Sequence, residues 1–354
     1  MAKKITVHDV ARSAGVSAST VSRVARGAAR VSPEIQKRVR EAALGLGFDR
    51  ISGNSAKIVT FLLGNREMMH YFHSRVLVGA QEYLAARDYD VLHFSFRYQA
   101  GVSWKALRLP DVLLRRDLVG GFIVAGANTK NLLDLLAQKE IPFVVLGNNV
   151  LGDWAQDQCD VVWLDDIQGS YELTRHLQSQ GHRDIWYIGN CNLSWYARCY
   201  QGYSRAMAEA GLQPRLSGFD TDKEEELGYL ATKSILGQRE PVTAIFAAAD
   251  VAAQGVYRAL RDCGLSIPED ISVAGFNDIE ADRFHPPLTS VRVFSEQIGK
   301  SLAELLLNRI NQPGLPPQRC TIPTQVIRRD SCQWPSGNPE RPGGKRVPPV
   351  AAGA

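Results

Sequence analysis

Residues 7–25 read VHDVARSAGVSASTVSRVA, and this stretch decides how the N-terminal end of the chain folds. Thr6 is placed to cap a helix that begins at Val7, with Val7, Val10 and Ala11 on its inner face. Ala14-Gly15-Val16 reads as a tight turn. Ser17 then caps a second helix, Ala18 to about Ala25, with Val21 and Val24 facing inward. A corner of this kind sets the second helix steeply across the first, so that its N-terminal residues can enter a major groove. Its outer positions, SASTVSR over 17–23, offer short hydroxyls suited to phosphates and base edges, and one arginine suited to a guanine edge. Small bundles unrelated to DNA also contain such corners, so the two helices alone leave both readings open.

Working outward, Ser32-Pro33-Glu34 opens a third helix with a cap, a proline at the first helical position and an acid at the positive helix end. Ile35, Val39, Ala42, Ala43 and Leu46 recur at helical spacing, and Gly47 is placed to end the helix. Residues 1–50 hold ten basic and four acidic side chains, a net of +6, whereas the other 304 residues sum to −2. A basic head on a faintly acidic body suits a polyanionic partner, although a solvated charged surface would give the same count.

At 354 residues the chain is long enough for two or three compact units. Its composition, 45% hydrophobic and 22% charged, excludes a fibrous or mainly disordered chain. No apolar run is long enough to span a bilayer, and the N-terminus lacks the apolar stretch and cleavage site of a secretory signal, so a cytoplasmic, membrane-free protein is expected. Six cysteines without a C-x-x-C pair or clustered histidines argue against structural zinc and for reduced thiols. No metal, cofactor or catalytic residue is expected. G-x-G-x-x-G, Walker, G-x-S-x-G and H-E-x-x-H strings are absent, and Gly45-Leu46-Gly47-Phe48 ends a helix where a nucleotide loop would begin one.

Residues 49–57, DRISGNSAK, carry no apolar period and read as a linker. Beyond them the pattern alternates. Strands are expected at 58–63, 91–96, 121–125, 143–146, 161–164, 185–188, 244–247 and 271–274. Helices are expected over a stripe from Phe72 to Leu84 and at about 129–140, 167–180, 196–210, 224–236, 250–263 and 295–310. Nearly continuous apolar strands between helices mean parallel sheets covered on both faces, and there are too many units for one small sheet. The expected architecture is α/β: an all-α helix-turn-helix headpiece (1–48), a short linker (49–57), a two-lobed doubly wound body (58–333) and a disordered tail rich in Pro, Gly and basic residues (334–354).

The full head string, ITVHDVARSAGVSASTVSRVARG followed by VSPEIQKRVREAALGLGF, strongly resembles the headpiece of the lactose-repressor (LacI/GalR) family of bacterial transcription regulators. The resemblance continues in Gly181-His182-Arg183-Asp184-Ile185 with Ile188-Gly189, in Gln201-Gly202-Tyr203, in Ser272-Val273-Ala274-Gly275-Phe276-Asn277-Asp278 and in Pro286-Pro287-Leu288-Thr289-Ser290-Val291. About 330 residues fit the family plan. The resemblance implies a body like type I periplasmic sugar-binding proteins, a small sugar-like effector in its cleft, a homodimer, and a duplex DNA operator with an inverted repeat. It puts Ala18 and Ser19 at base-reading positions, Ser17, Thr20 and Ser22 at phosphates or nearby bases, and Arg23 at a base. Thr6 and Arg26 complete the expected DNA-contacting set.

Ligands of doubly wound folds sit beyond the carboxyl ends of the strands. That places Gly64-Asn65 and Gly147-Asn148-Asn149 on one wall and Asn190, Asp250, Asn277 and Asp278 on the other. Phe72 stands where the family often has an aromatic contact, and Trp195 with Tyr196 follows a strand end. The expected effector set is Phe72, Asn148, Trp195, Arg198, Asp250, Asn277 and Asp278.

Several positions depart from the family pattern. The family's clamping arginine falls at Cys199, with Arg198 one residue earlier. Asn277 replaces the first acid of a paired D-D, and Ala249 replaces a common asparagine. The family's A-R-S-L-like hinge, whose leucines wedge into the minor groove, has no counterpart in the leucine-free linker, where Ile51 is the only large apolar residue and Gly53-Asn54 favours a turn. Two alternatives stay beside a ligand-responsive repressor. One is a regulator without an effector. The other is a solute-binding protein or α/β enzyme with an incidental basic head.

Overall fold

The computed structural model describes residues 5–25, 31–46, 57–66, 70–221, 223–238 and 240–335. The expectations for Arg26, Gly47, Phe48, linker residues 49–56 including Ile51, and the tail from 336 lie outside them. The chain divides into two compact units, residues 1–58 with 109–120, and 59–108 with 121–354.

In the head, helix α1 spans Val7–Ala14, α2 spans Ala18–Ala25 and α3 spans Pro33–Leu46. At the start of α1, the Asp9 carboxylate accepts from the Thr6 backbone N–H at 2.9 Å and from its hydroxyl at 2.6 Å. The turn after α1 depends on Gly15, whose φ of 62° is left-handed. The Arg38 guanidinium of α3 donates to the Ala14 carbonyl at 2.7 Å, and a Cβ on Gly15 would lie only 2.9 Å from it. Val10, Ala11, Ala14, Val21, Val24, Val39 and Ala43 are buried as one core, with Val7, Ile35 and Leu46 packed on it.

The body holds two six-stranded sheets. The first runs, in spatial order, through Arg319–Ile322, Asp160–Leu164, Phe143–Leu146, Val119–Gly126, Ile58–Gly64 and Asp90–Phe96. The second runs through Thr324–Ile327, Thr289–Val293, Ser272–Asn277, Ala244–Ala247, Ile185–Ile188 and Arg215–Ser217. Among the pairings with a described register, only Thr324–Ile327 against Thr289–Val293 is antiparallel. The helices are α4 (Tyr71–Ala85), α5 (Lys130–Gln138), α6 (Asp166–Ser179), α7 (Ser194–Glu209), α8 (Glu224–Gly237), α9 (Asp250–Asp262) and α10 (Ser295–Asn311). Each expected strand and helix is present within a few residues. The doubly wound reading omitted four strands of these sheets, Arg215–Ser217, Thr289–Val293, Arg319–Ile322 and Thr324–Ile327, and also the two-residue strands Asn128–Thr129 and Val150–Leu151, which pair as a small third sheet.

The chain crosses between the lobes three times, near 165, 294 and 323, so each lobe contains distant segments. Helix α10 returns to the first lobe and packs on α4 so closely that a Cβ on Gly79 would meet the Glu296 carbonyl at 2.0 Å, and one on Gly299 the Val76 carbonyl at 1.9 Å. In the second lobe Tyr187 and Tyr203 are fully buried, and their hydroxyls donate to the carbonyls of Tyr196 and Ile185 at 2.7 Å each. That satisfies the polar tip of rings each stabilising the lobe by about 2–3 kcal/mol of apolar burial. The carboxyl ends of both sheets open on one cleft.

Candidate functional site

The first surface is the start of α2. Ser17 caps the helix, its hydroxyl accepting from the Thr20 N–H at 3.2 Å and lying 2.8 Å from the hydroxyls of both Ser19 and Thr20. Ser17, Ser19 and Arg23 are exposed, while Ala18, Thr20 and Ser22 are half-buried. Val21 and Val24 on the opposite side are core. The helix therefore presents small side chains, hydroxyls and one guanidinium on a single outward face, and Thr6 is exposed at the start of α1. That is the geometry a groove-reading helix requires: short side chains that admit the helix and donors that meet phosphates and base edges.

The second is the cleft of the body, which holds about 580 Å³ of free space counting its open mouth, within the range of small-molecule sites. Phe72, Trp195 and Phe276 give it aromatic faces, and Asn148, Asn149 and Asn277 give it amides. Arg66, His70, His73, Asp166, Cys199 and Glu224 add ionisable groups. The two lobes touch across it. The Ser194 hydroxyl donates to the Asn148 carbonyl at 2.7 Å, His70 Nε2 lies 3.3 Å from the Glu224 carboxylate, and the Arg66 guanidinium sits 4.8 Å over the Trp195 ring.

Electrostatics fix the state of these groups. Burial, with Arg66 and His70 nearby, pushes His73 down to about 3, so its ring is neutral near pH 7. The Asn149 amide nitrogen lies 3.0 Å from His73 Nε2. An amide nitrogen only donates, so Nε2 accepts and Nδ1 carries the proton. That buried Nδ1 has no hydrogen-bond partner. Burial raises Asp166, against the opposing pull of Arg198, Asn148 and the Ile167 N–H, which donate to it at 2.9, 2.7 and 3.0 Å. Burial would also raise Glu224, but His70 and Arg66 outweigh it and hold this carboxyl below its ordinary value.

Of the residues expected to meet a ligand, the structure brings Phe72, Asn148, Trp195 and Asn277 to the cleft. Three expectations are corrected. Asp250 turns inward: it accepts from the Ile279 N–H at 2.6 Å and pairs with the Ser290 hydroxyl at 2.6 Å, packed against Gly275, where a Cβ would come within 2.2 Å of it. Burial pushes its carboxyl up to about 8. Asp278 is clamped by Arg292 at 2.6 Å and Arg329 at 2.7 Å, beside a separate depression lined by Tyr71, Arg75, Phe294 and Lys300. Arg198 is held behind the wall by Asp166 and the Trp163 ring, and Cys199 faces the cleft in its place. The wall expectations for Asn65 and Asn190 change as well. Asn65 ties the Tyr98 N–H to the Ala127 carbonyl, and Asn190 donates to Asp220. Sequence reasoning missed Arg66, His70, His73, Asp166 and Glu224. No motif marks them, although Asp166 and Glu224 each start a helix.

Comparison with known proteins places both regions. Residues 6–50 match the family described as bacterial regulatory proteins, lacI family, and residues 174–332 match a periplasmic binding protein-like domain. An HTH-type transcriptional repressor PurR from Glaesserella parasuis serovar 5 (strain SH0165) is 30% identical over 330 residues, 90% of this chain and 94% of that protein. The PurR of Pasteurella multocida (strain Pm70) is 31% identical over 342 residues, 92% and 98% of the two chains. Among solved structures, the transcriptional regulator CelR in complex with cellobiose is 28% identical, with a TM-score of 0.69 over 93% of this chain and all of that one. A LacI family regulator from Enterococcus faecium with bound ribose is 25% identical, with a TM-score of 0.65 over 78% of this chain and 99% of that one. The lac repressor dimer bound to operator, 20% identical, shares the fold, with a TM-score of 0.67 over 94% of this chain and all of that one. The chain belongs to the LacI family of DNA-binding bacterial transcription regulators, which are not enzymes.

Proposed function

We propose that the protein is a cytoplasmic repressor that reads an inverted-repeat operator as a homodimer and responds to a small polar, sugar-like effector bound between its lobes. Ala18, Ser19 and Arg23 read bases, and Thr6, Ser17, Thr20 and Ser22 hold phosphates or nearby base edges. Phe72, Trp195 and Phe276 cover the effector, and Asn148, Asn149, Asn277 and His73 orient it. The observation that carries the effector reading is His73 Nδ1, a buried donor in an aromatic-walled cleft with nothing to donate to. An unmade hydrogen bond there costs about 1–3 kcal/mol, which an acceptor on a ligand recovers. The cellobiose and ribose bound to two relatives support a polyhydroxylated occupant.

Gel shifts of the full chain on inverted repeats from its own upstream DNA test the operator reading, and a thermal-shift screen against sugars, nucleobases and nucleosides tests the effector. A ligand that binds the native state raises its melting point by mass action. Its addition is expected to change operator affinity. A chain that binds operator but is shifted by no compound is an effector-independent regulator, and the effector half of the proposal then falls.

A further inference from the structure

Two buried groups of the cleft are open to hydrogen bonds of opposite sense. His73 Nδ1 carries a proton and has no acceptor, and Glu224 Oε2 is a carboxylate oxygen without a hydrogen bond. Both residues line the cleft. The His70 ring adjoins each of them. Its centroid is 6.5 Å from that of His73, and its Nε2 lies 3.3 Å from Glu224 Oε2, an ion-pair distance without the geometry of a hydrogen bond. One small ligand can therefore span the two. His70 and Arg66 hold the Glu224 carboxyl below its ordinary value, so it is ionised near neutral pH. An ionised carboxylate offers about four lone-pair sites, more than His70 and the neighbouring Tyr196 hydroxyl can fill. Phe72 and Trp195 add flat apolar faces to the same cleft.

We infer that Glu224 and His73 select the effector as a pair: one ligand hydroxyl donates to Glu224 Oε2, a second ligand oxygen accepts from His73 Nδ1, and the occupant is a neutral sugar or polyol rather than its acid. The inference rests on the proposed effector site and assigns its specificity to these two residues. Each contact satisfies a buried polar group that otherwise bears its desolvation unrelieved. A hydroxyl can donate to the carboxylate. A ligand carboxylate cannot, and it would set a second negative charge beside the first. Arg66 and His70 already supply Glu224 with positive charge, so the partner it lacks is a neutral donor rather than another cation. A deoxygenated analogue keeps the ring but leaves one buried group unpaired, which is how a polar site rejects a close relative of its ligand.

Calorimetry on the full chain tests this with glucose, galactose and ribose, each beside its monodeoxy derivatives, and with glucuronate and galacturonate. At least one sugar is expected to bind. One of its deoxy positions should cost about 10- to 100-fold, the loss of a bond to a charged acceptor, and a second about 3- to 10-fold, the loss of a bond to neutral His73. The uronates are expected to bind more weakly than their parents. Glu224→Gln keeps the shape and removes the charge. In it the larger ratio of parent to deoxy sugar is expected to fall by about 3- to 10-fold, while the smaller ratio holds. Because ratios are read, a general loss of affinity does not mimic the result, and if the variant binds nothing the profile of the unaltered chain decides. A flat deoxy profile overturns the pairing and leaves the effector site standing. So does a large ratio that Glu224→Gln leaves unchanged, or a uronate that binds as tightly as its parent. If no sugar binds, the inference also fails, and the effector reading falls with it only if the nucleobases and nucleosides fail too.

Discussion

The recognition surface and the ligand cleft are built in opposite ways. The head surface is a run of seven residues, 17–23, displayed by one helix whose cap, turn and core lie within forty residues of sequence. The cleft draws on Arg66, Asn148, Asp166, Trp195, Glu224 and Phe276, which the crossings between lobes bring together. Its charges are buried and paired, whereas those on α2 are solvated. Changes in the body should therefore act through buried electrostatics, and changes in the head through contacts made only with DNA.

The largest effect expected from that contrast is at Asp278. This carboxylate is almost completely buried between Arg292 and Arg329. Asp278→Ala leaves Arg329, itself mostly buried, without its partner, and should lower stability by about 3–5 kcal/mol in urea titration. Affinity of the folded variant for a cleft ligand should change little. A variant of native stability that had lost ligand binding would return Asp278 to the ligand and break the contrast.

Next is pH. His73 and His182 are buried, with their rings pushed down to about 3 and about 4. Burial is the main cause in both. A depressed value means the folded state binds fewer protons than the unfolded chain. The stabilisation is whole above about 6.5 and is lost as pH falls toward the folded values, by roughly 1.4 kcal/mol per pH unit per ring. Between pH 7 and 5 these two rings should withdraw about 2–4 kcal/mol, read in urea titration as a reduced acid slope in His73→Gln with His182→Gln; half-buried His176, also pushed down to about 4, leaves a residual slope. The sign reverses for Asp250. Its raised carboxyl gives stability that is whole below the unfolded value of 3.8 and is lost as pH rises through about 8, so across that window it opposes the histidines, and Asp250→Asn should remove the opposing slope. In the head His8 is exposed, and no buried histidine is present among the described residues. An acid slope undiminished in the double variant would place the sensitive groups elsewhere.

These differences also explain what could be read from the sequence. The head was legible because its determinants are local: Thr6 with Asp9, Gly15 in a left-handed turn, Ser17 as a cap, valines at helical spacing. The central strands were legible as short apolar runs. The four strands omitted from the two large sheets include three of their four edges. Arg215–Ser217 is three residues with Leu216 exposed, and Arg319–Ile322 and Thr324–Ile327 flank Pro323 with arginine, threonine and glutamine. An edge strand does not need two apolar faces, so it lacks the signal that marks its neighbours. Within the cleft, strand-end position found Asn148 and Asn277. It failed at Asp250 and Asp278 because the sequence does not tell which way a side chain at a strand end turns. Here Gly275 and two arginines draw both acids inward.

A smaller effect tests the head directly. Arg23 is exposed at the end of the reading face. Arg23→Ala should weaken specific operator binding by about 1–3 kcal/mol and relax preference at one base position, while binding to random DNA changes less. Equal loss on both would make Arg23 a phosphate contact, and the α2 face would then position the head without reading sequence through this residue. Raising salt should weaken both kinds of binding steeply, since phosphate contacts release counterions.

The smallest effect is expected where the two regions join. Residues 49–56 lie outside the described structure, and their sequence alone sets the expectation. Nine residues, 49–57, separate Phe48 from the strand beginning at Ile58, and they reach at most about 30 Å when extended. So short a segment does not hold a helix without tertiary support, and Gly53-Asn54 favours a turn within it. It has no leucine to drive between base steps, and intercalating side chains are what kink a duplex from the minor groove. The operator should therefore bend only weakly at its centre. Ile51→Ala should leave both the bend and the affinity almost unchanged, as read by circular-permutation gel shifts. Coupling between cleft and head would then not depend on folding of a hinge helix. A sharp central bend that Ile51→Ala abolishes would show instead that one isoleucine does the work of the missing leucine. The join would then be a third functional region, one that neither the local logic of the head nor the dispersed logic of the cleft describes.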